Sequence, residues 1–369
     1  IPYTKKIAIK AVHAGGAAIH RLGLSESILV YDNHYSFLGG LENLEKRIKE
    51  QKNLISGKII TVEEYFRAWP HLKFLLGLFR KYDLAISTMH NDRPVFYAWL
   101  AGKYAVGFVP GKGLKHFWKR LLLSRWMYVD NVNTHTVLKN LNLASLLGLP
   151  LCYNVIVSWR AADERRVTSL LKFDMASEKF AVIHMQPRFA YKEWSKQGWI
   201  ELANWFHAQH INMVFTGMDP EKETDGMDEI FRALPERVHN MIGQFNLSET
   251  GYLLSRASIY VGPDTGITHM AAALGIPTVA LYGPTNPVVW GPWPKDYLSG
   301  ENPFIKKGSQ NVRNVFLVQG EEDCVPCHEE GCDRHVESHS KCLQNFPSEK
   351  LIETVRQALN PTQQRELSN

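Results

Sequence analysis

Between Ser258 and Pro287 the chain reads SIYVGPDTGITHMAAALGIPTVALYGPTNP. It holds two apolar runs, each too short for a helix and each ending in Gly-Pro, with an Ala-rich stretch of helical length between them. A short strand, a helix and a second strand of the same direction form a βαβ unit, and that requires a parallel sheet with helices on its faces.

The rest of the chain keeps the same alternation. In the first half, KKIAIKAV (5–12), SILVYD (27–32), GKIITV, DLAISTMH (83–90) and YAVGFV (104–109) read as strands. AAIHRLG (17–23), LENLEKRIKEQ, VEEYFRAWPHLKFLLGLFRKY, PVFYAWLAG and TVLKNLNLASLLGLP read as helices. In the second half, FAVIHM (180–185), INMVFTG (211–217) and VHNMIGQ are strand-like. ADERRVTSLLKF, GWIELANWFHAQ (198–209), MDEIFRALP and LSETGYLLSRA (247–257) are helix-like, the last with Ser248 and Glu249 suited to its first turn. The expected architecture is α/β, with two doubly wound domains over 1–158 and 159–346 and a C-terminal helix and tail over 347–369. Ligands of such sheets bind outside the carboxyl ends of the strands, so a cleft between the two domains is the expected site.

With 369 residues, 45% apolar and 21% charged, the chain can bury two ordinary cores. The net charge of +5 is compatible with an acidic or phosphorylated partner without demanding one. No apolar run reaches the roughly 18 residues of a membrane span, and IPYTKKIAIK lacks the apolar core of a signal peptide. A soluble cytoplasmic protein is expected.

The turn between the two runs carries chemistry. A helix opening at Gly266 presents unpaired N–H groups and a partial positive charge, which suit a phosphate. Gly266 permits close backbone approach, Thr265 offers a hydroxyl, and Asp264 can cap the helix or accept from a ligand hydroxyl. His269 falls one turn beyond Thr265, on the same face. The same pattern would also serve a capped helix with a core-packed histidine, and spacing alone leaves both open.

D-T-G-x-x-H-x-A-A-A-L-G-x-P-x-x-x-L-Y-G-P-T-x-P resembles the nucleotide-sugar motif of the bacterial heptosyltransferases, glycosyltransferase family 9. YDLAISTMHNDRPVFYAWLAGKYAVGF, VIHMQPRFAYKEWSKQGWIELANWF and VFTGMDPEKE resemble further stretches of that family in the same order. The resemblance covers nearly the whole chain and is strongest from about 180 to 293. It implies the GT-B architecture, two Rossmann-like domains facing each other, and metal-independent inverting sugar transfer. It also implies ADP-heptose as donor and a lipopolysaccharide core sugar as acceptor. Another sugar nucleotide, a protein acceptor, or an inactive sugar-nucleotide-binding scaffold are the alternatives. Carried over by position, Lys192 would contact the donor phosphates and offset the charge growing on the departing diphosphate. Asp264, Thr265, Gly266 and His269 would complete the donor-binding set, with Lys192 and Asp264 central to catalysis. Glu221 would reach the ribose and Phe245 would lie against the base. For Glu221 an exposed loop acid, and for Phe245 ordinary core packing, are equally open. The family's opening Gly-Asp turn, whose Asp is thought to act as general base, has no counterpart here. IPYTKKIAIK resembles the family's second strand, and Asp92 is the substitute candidate.

Two further segments stand out. Cys324, Cys327, Cys332 and Cys342 follow the pattern C-x2-C-x4-C-x9-C, and the first pair has thiolate-chelate spacing. Four thiolates would suit a structural Zn or Fe, with His328, His335 and His339 as alternative ligands; free thiols or a local disulfide are the other reading. PGKGLKHFWKRLLLSRWMY (110–128) interleaves Lys112, Lys115, Lys119, Arg120 and Arg125 with Phe117, Trp118 and Trp126. It suits either an ordinary amphipathic helix or peripheral contact with an anionic glycolipid at the inner face of the inner membrane. No nucleic-acid fold signature accompanies it, and assembly into a homo-oligomer remains open.

Overall fold

The computed structural model describes residues 75–217, 231–233 and 237–360. The strands and helices expected before residue 75, most of MDEIFRALP, Glu221 and the tail beyond 360 lie outside them. The chain divides into two compact units between Tyr153 and Asn154, a few residues before the expected boundary at 158. The difference has a packing cause: Val157 and Trp159 lie against Gly251, and Trp159 meets Tyr252 edge-on, so this linker belongs to the second unit.

The first unit contains β1 (Tyr82–Ser87), α1 (Asp92–Ala101), β2 (Gly102–Val109), α2 (Phe117–Leu122), β3 (Arg125–Tyr128) and α3 (Thr136–Ser145). Its described strands form a parallel sheet of order β1-β2-β3. The 110–128 segment is not one amphipathic helix. It is a single turn at Leu114–His116, the short α2, and then β3. Lys119 is 2% exposed; its ammonium lies 2.6 Å from an Asp92 carboxylate oxygen and donates to the His90 carbonyl. A lysine can sit that deep only because both partners meet it there. Leu114, Phe117 and Leu121 are exposed instead. Among the described residues no helix is long and apolar enough to cross a membrane.

The second unit contains α4 (Ala161–Leu170), β4 (Phe180–His184), α5 (Lys196–Ala208), β5 (Asn212–Thr216), β6 (Val238–Asn240), α6 (Leu247–Arg256), β7 (Ile259–Pro263), α7 (Gly266–Leu274), β8 (Thr278–Tyr282), α8 (Pro287–Trp290), β9 (Gln310–Val312), β10 (Val315–Gln319), α9 (Lys341–Gln344) and α10 (Ser348–Leu359). The sheet order is β6-β5-β4-β7-β8-β10-β9, parallel except where β9 folds back on β10. Every residue of β4, β5, β7, β8 and β10 is buried, as expected of strands covered on both faces. The period of two sorts them: Ala181, Ile183, Ile259, Val261, Val279 and Leu281 enter the core beneath α5 and α10, whereas Phe180, Val182 and Tyr260 pack with α4 and α6. On α5, Leu202, Ala203 and Phe206 are fully buried; Leu202 and Phe206 each contribute roughly 1.5–3 kcal/mol of transfer free energy. Helix starts follow capping chemistry. Ser195 accepts from the Gly198 N–H, and Asn246 with Glu249 forms a capping box whose Glu249 also pairs with Arg166 of α4 at 2.8 Å.

Candidate functional site

The sheet of the second unit changes winding direction between β4 and β7. β5 and β6 continue to one side of β4, while β8 and β10 continue to the other side of β7. A crevice opens at the carboxyl end of such a switch point, and Lys192 leaves β4 there while Asp264 leaves β7.

The loop after β4 makes a single turn over Ala190–Lys192. It places the Lys192 ammonium 2.6 Å from Asp264 Oδ2 and 3.3 Å from the Asp264 carbonyl. The other carboxylate oxygen lies 3.6 Å from His269 Nε2 and 3.2 Å from the Tyr282 hydroxyl, which also reaches the Trp290 carbonyl at 2.7 Å. Burial by itself pushes the Asp264 carboxyl up; His269 and Lys192 outweigh it and hold the group well below the usual carboxylate range. The site therefore contains a buried, ionised carboxylate sharing a partly exposed ammonium.

Helix α7 begins immediately after. Thr265 occupies its N-cap with extended backbone, yet no side chain caps this end. Thr268, which is fully buried, turns its hydroxyl inward to the Pro263 carbonyl and the Tyr260 hydroxyl. The first-turn N–H groups at Gly266 and Ile267 thus sit at the positive pole of a nine-residue helix beside an ammonium, an arrangement that attracts a phosphate. Gly275, at φ 90°, ends the helix in the left-handed conformation.

The structure brings Lys192, Asp264, Thr265, Gly266 and His269 into one group. Asp264 does not cap α7, because its carboxylate is committed to Lys192, His269 and Tyr282. His269 is not core-packed, with 38% of its side chain exposed. Phe245 packs against the cluster containing Leu253 and Leu254. Sequence reasoning missed Tyr282, which is fully buried and hydrogen-bonded to Asp264. Its signal was a hydroxyl-bearing residue closing an apolar strand on the same rim, since buried tyrosines seek a polar partner. It also missed Trp194, 3% exposed, which anchors the lysine loop by donating to the Phe346 carbonyl at 2.9 Å.

The four clustered cysteines are free thiols. Among the described residues no group of three or more His, Cys, Asp or Glu side chains is arranged to hold a metal ion. Cys324, Cys327, Cys332 and Cys342, the ligands expected from the spacing, nevertheless lie within electrostatic reach of one another, since desolvation and then neighbouring sulfurs push the thiols of Cys324 and Cys342 up. Cys342 is buried against Gly283 and Gly320, and burial together with the other three sulfurs pushes its thiol up to about 12. Cys324 and Cys332 are exposed. Of the alternative ligands, the His339 imidazole lies 3.7 Å from a Glu193 carboxylate oxygen.

The family model Glycosyltransferase family 9 (heptosyltransferase) matches residues 77–310. Residues 1–68 match a different model, the C-terminal domain of quinolinate phosphoribosyl transferase. Lipopolysaccharide core heptosyltransferase OpsX of Haemophilus influenzae is 26% identical over 184 residues, covering 47% of this chain and 51% of that protein. The chain spans about half the length of the curated relatives it matches. Among solved structures, E. coli ADP-heptose lps heptosyltransferase II superposes with a TM-score of 0.59 at 16% identity, over 91% of this chain and 99% of that one. E. coli heptosyltransferase WaaC with ADP gives 0.55 at 16% identity, over 85% and 88%. These similarities place the fold in the GT-B class. With the family model spanning well over half its length, the chain belongs to glycosyltransferase family 9, the heptosyltransferases.

Proposed function

We propose that the protein transfers heptose from ADP-heptose to a sugar of the lipopolysaccharide core, with inversion at the anomeric carbon. The observation that carries this reading is the ammonium of Lys192 beside the uncapped start of α7, at the switch point of the nucleotide-side sheet. Family membership and the ADP bound to the related E. coli heptosyltransferase WaaC support the choice of donor.

In this reading the acceptor hydroxyl attacks the anomeric carbon in line as ADP departs. Charge then grows on the β-phosphate. The Lys192 ammonium and the Gly266 and Ile267 N–H groups are pre-set to meet it, so little reorganisation is needed at the moment of bond breaking. Asp264, held ionised, keeps the Lys192 side chain at the helix end. Tyr282 and His269 fix the carboxylate in turn. Thr265 offers a hydroxyl to the same diphosphate, Glu221 a carboxylate to the ribose, and Phe245 an apolar edge to the base. The acceptor is an anionic glycolipid, reached by peripheral contact of the cytoplasmic protein with the inner membrane through the exposed apolar residues of the 114–121 segment.

The test is calorimetric titration of the full chain with ADP, GDP and UDP, repeated with Lys192→Ala. Selective ADP binding, weakened at least tenfold in the variant, is the expected result. A preference for UDP or GDP would assign another donor class. No binding to any of them would overturn the donor-site reading and leave the family relationship as fold alone.

A further inference from the structure

The Cys-rich segment ends against the loop that carries Lys192. The Ser340 hydroxyl, 2% exposed, donates to the Tyr191 carbonyl at 2.7 Å. Gln344 Nε2 donates to the Glu193 carbonyl at 2.9 Å. These two bonds hold the peptide carbonyls on either side of Lys192. The Trp194 indole, next in the chain, donates to the Phe346 carbonyl. Three residues flanking the lysine, 191, 193 and 194, are thus tied to one short stretch, 340–346.

That stretch is itself seated on the second rim loop. Cys342 Sγ lies 3.0 Å from where a Cβ on Gly283 would be, and the Cys342 backbone closes on Gly320 at 2.6–3.0 Å in the same sense. The His328 N–H bonds the Pro284 carbonyl. Neither glycine can carry a side chain while α9 sits there. The segment therefore touches both the YGPT turn and the lysine loop. The lysine loop has little regular structure of its own: one turn at Ala190–Lys192 joins β4 to α5.

We infer that Ser340 and Gln344 are positioning residues for donor binding, acting through Lys192: the Cys-rich segment braces the phosphate-binding loop. This rests on the donor-site reading above and adds to it a role for a segment outside the nucleotide motif. A bond to a backbone carbonyl fixes the course of the loop and hence the point from which the long lysine side chain starts. A displacement of about 1 Å at such a point costs substantial transition-state stabilisation. The exposed cysteines lie upstream in the same segment, so the brace is local to 340–346 and needs no bond between sulfurs.

The experiment is a double-mutant cycle read by ADP titration of the full chain. Ser340→Ala and Gln344→Met are each combined with Lys192→Ala, with thermal melts recorded alongside. In the wild-type background each brace variant is expected to weaken ADP binding about fivefold, the effect of one hydrogen bond. In the Lys192→Ala background the same changes should have little further effect, because the lysine they position is gone. Ser338→Ala, which alters bonds within the segment to Asp333 without touching the 190–194 loop, should leave affinity unchanged. Full additivity with Lys192→Ala, or unchanged affinity in both folded brace variants, would overturn the inference. Gln344→Met, at a half-buried position, keeps the test alive if Ser340→Ala fails to fold. Failure of the wild type to bind ADP is a different outcome, and it refutes the donor-site reading itself.

Discussion

The Lys192–Asp264 pair predicts a stability effect that distinguishes it from an ordinary surface contact. The Asp264 side chain is 9% exposed and that of Lys192 21%. An exposed ion pair is worth about 0–1 kcal/mol, whereas removing one partner of a buried pair costs about 3–5 kcal/mol, because it leaves an uncompensated charge. Lys192→Ala leaves the Asp264 carboxylate with His269 at 3.6 Å and Tyr282 at 3.2 Å, so the cost should fall between these limits, at about 2–4 kcal/mol. The sign with pH follows from linkage. The folded Asp264 carboxyl is held below its unfolded value, so its contribution is present above the usual carboxylate pKa and is lost as pH falls through the folded one. In the variant the depressing ammonium is gone and burial acts against less opposition, so the carboxyl protonates earlier and the deficit shrinks in acid. The assay is hydrogen exchange of peptides covering β4 and β7 in the full chain, at neutral pH and near pH 3. A loss of protection of roughly 30-fold or more at neutral pH, smaller in acid, is expected. A neutral-pH loss under about fivefold, unchanged in acid, would refute the argument that Asp264 is a buried charge held by Lys192.

Two further outcomes follow from packing. A methyl on Gly198 would lie 2.4–2.5 Å from the Trp194 ring, which meets Trp199 edge-on at 5.0 Å. Gly198→Ala gains about 1 kcal/mol of helix propensity but loses about 1–3 kcal/mol to overpacking, so the net effect should be a lower melting temperature, a changed near-ultraviolet tryptophan signal and weaker ADP binding as the lysine loop shifts. His184, buried at the end of β4 beside Thr216 at 3.2 Å, is pushed down to about 4 by burial. Its folded value is depressed, so stability present above pH 6.5 falls by about 3 kcal/mol as the pH drops through 4, and His184→Gln should flatten that slope in urea titrations at pH 7 and pH 4.5.

What was legible in the sequence was local. The start of α7 at Gly266 could be read because a strand end, a polar turn and an Ala-rich helix are adjacent in the chain, and β4, β5, β7 and β8 each showed as an apolar run, whereas the core strand β10 (VFLVQ) was not read. What was not legible depended on partners far away. Lys119 looks like one cation of a basic face, but Asp92 and the His90 carbonyl, some thirty residues upstream, draw it inside. The β9–β10 hairpin turns at Arg313-Asn314, without the Asn-Gly that would announce it. Arg313 takes φ 57° because its guanidinium reaches the Lys295 carbonyl and the Asn314 amide ties down Ala272 and Ile276. The cysteine spacing was read correctly as a cluster, but spacing does not encode that Cys342 is buried under Gly283 while Cys324 and Cys332 face water.

The proposed transfer also needs a group to take the acceptor hydroxyl proton, and the described acids of the first unit can be weighed for it. A general base gains most when its pKa lies near the working pH. Asp92, the substitute suggested by sequence, has its carboxylate 2.6 Å from the Lys119 ammonium, and hydrogen bonding to that lysine holds it below its ordinary value. Asp130, just past β3, accepts from the Asn133 side chain and from the Val132 and Asn133 N–H groups, which lower it likewise. Both are poor proton acceptors at neutral pH. The family model matches from residue 77, and residues 1–68 match another model. Among the described residues, Lys192, Asp264, His269 and Tyr282 are each fixed by the next at the strand ends of the second unit, the group proposed above to hold the donor. ADP titration therefore tests the proposed donor group directly, through Lys192, without depending on which group takes the acceptor proton.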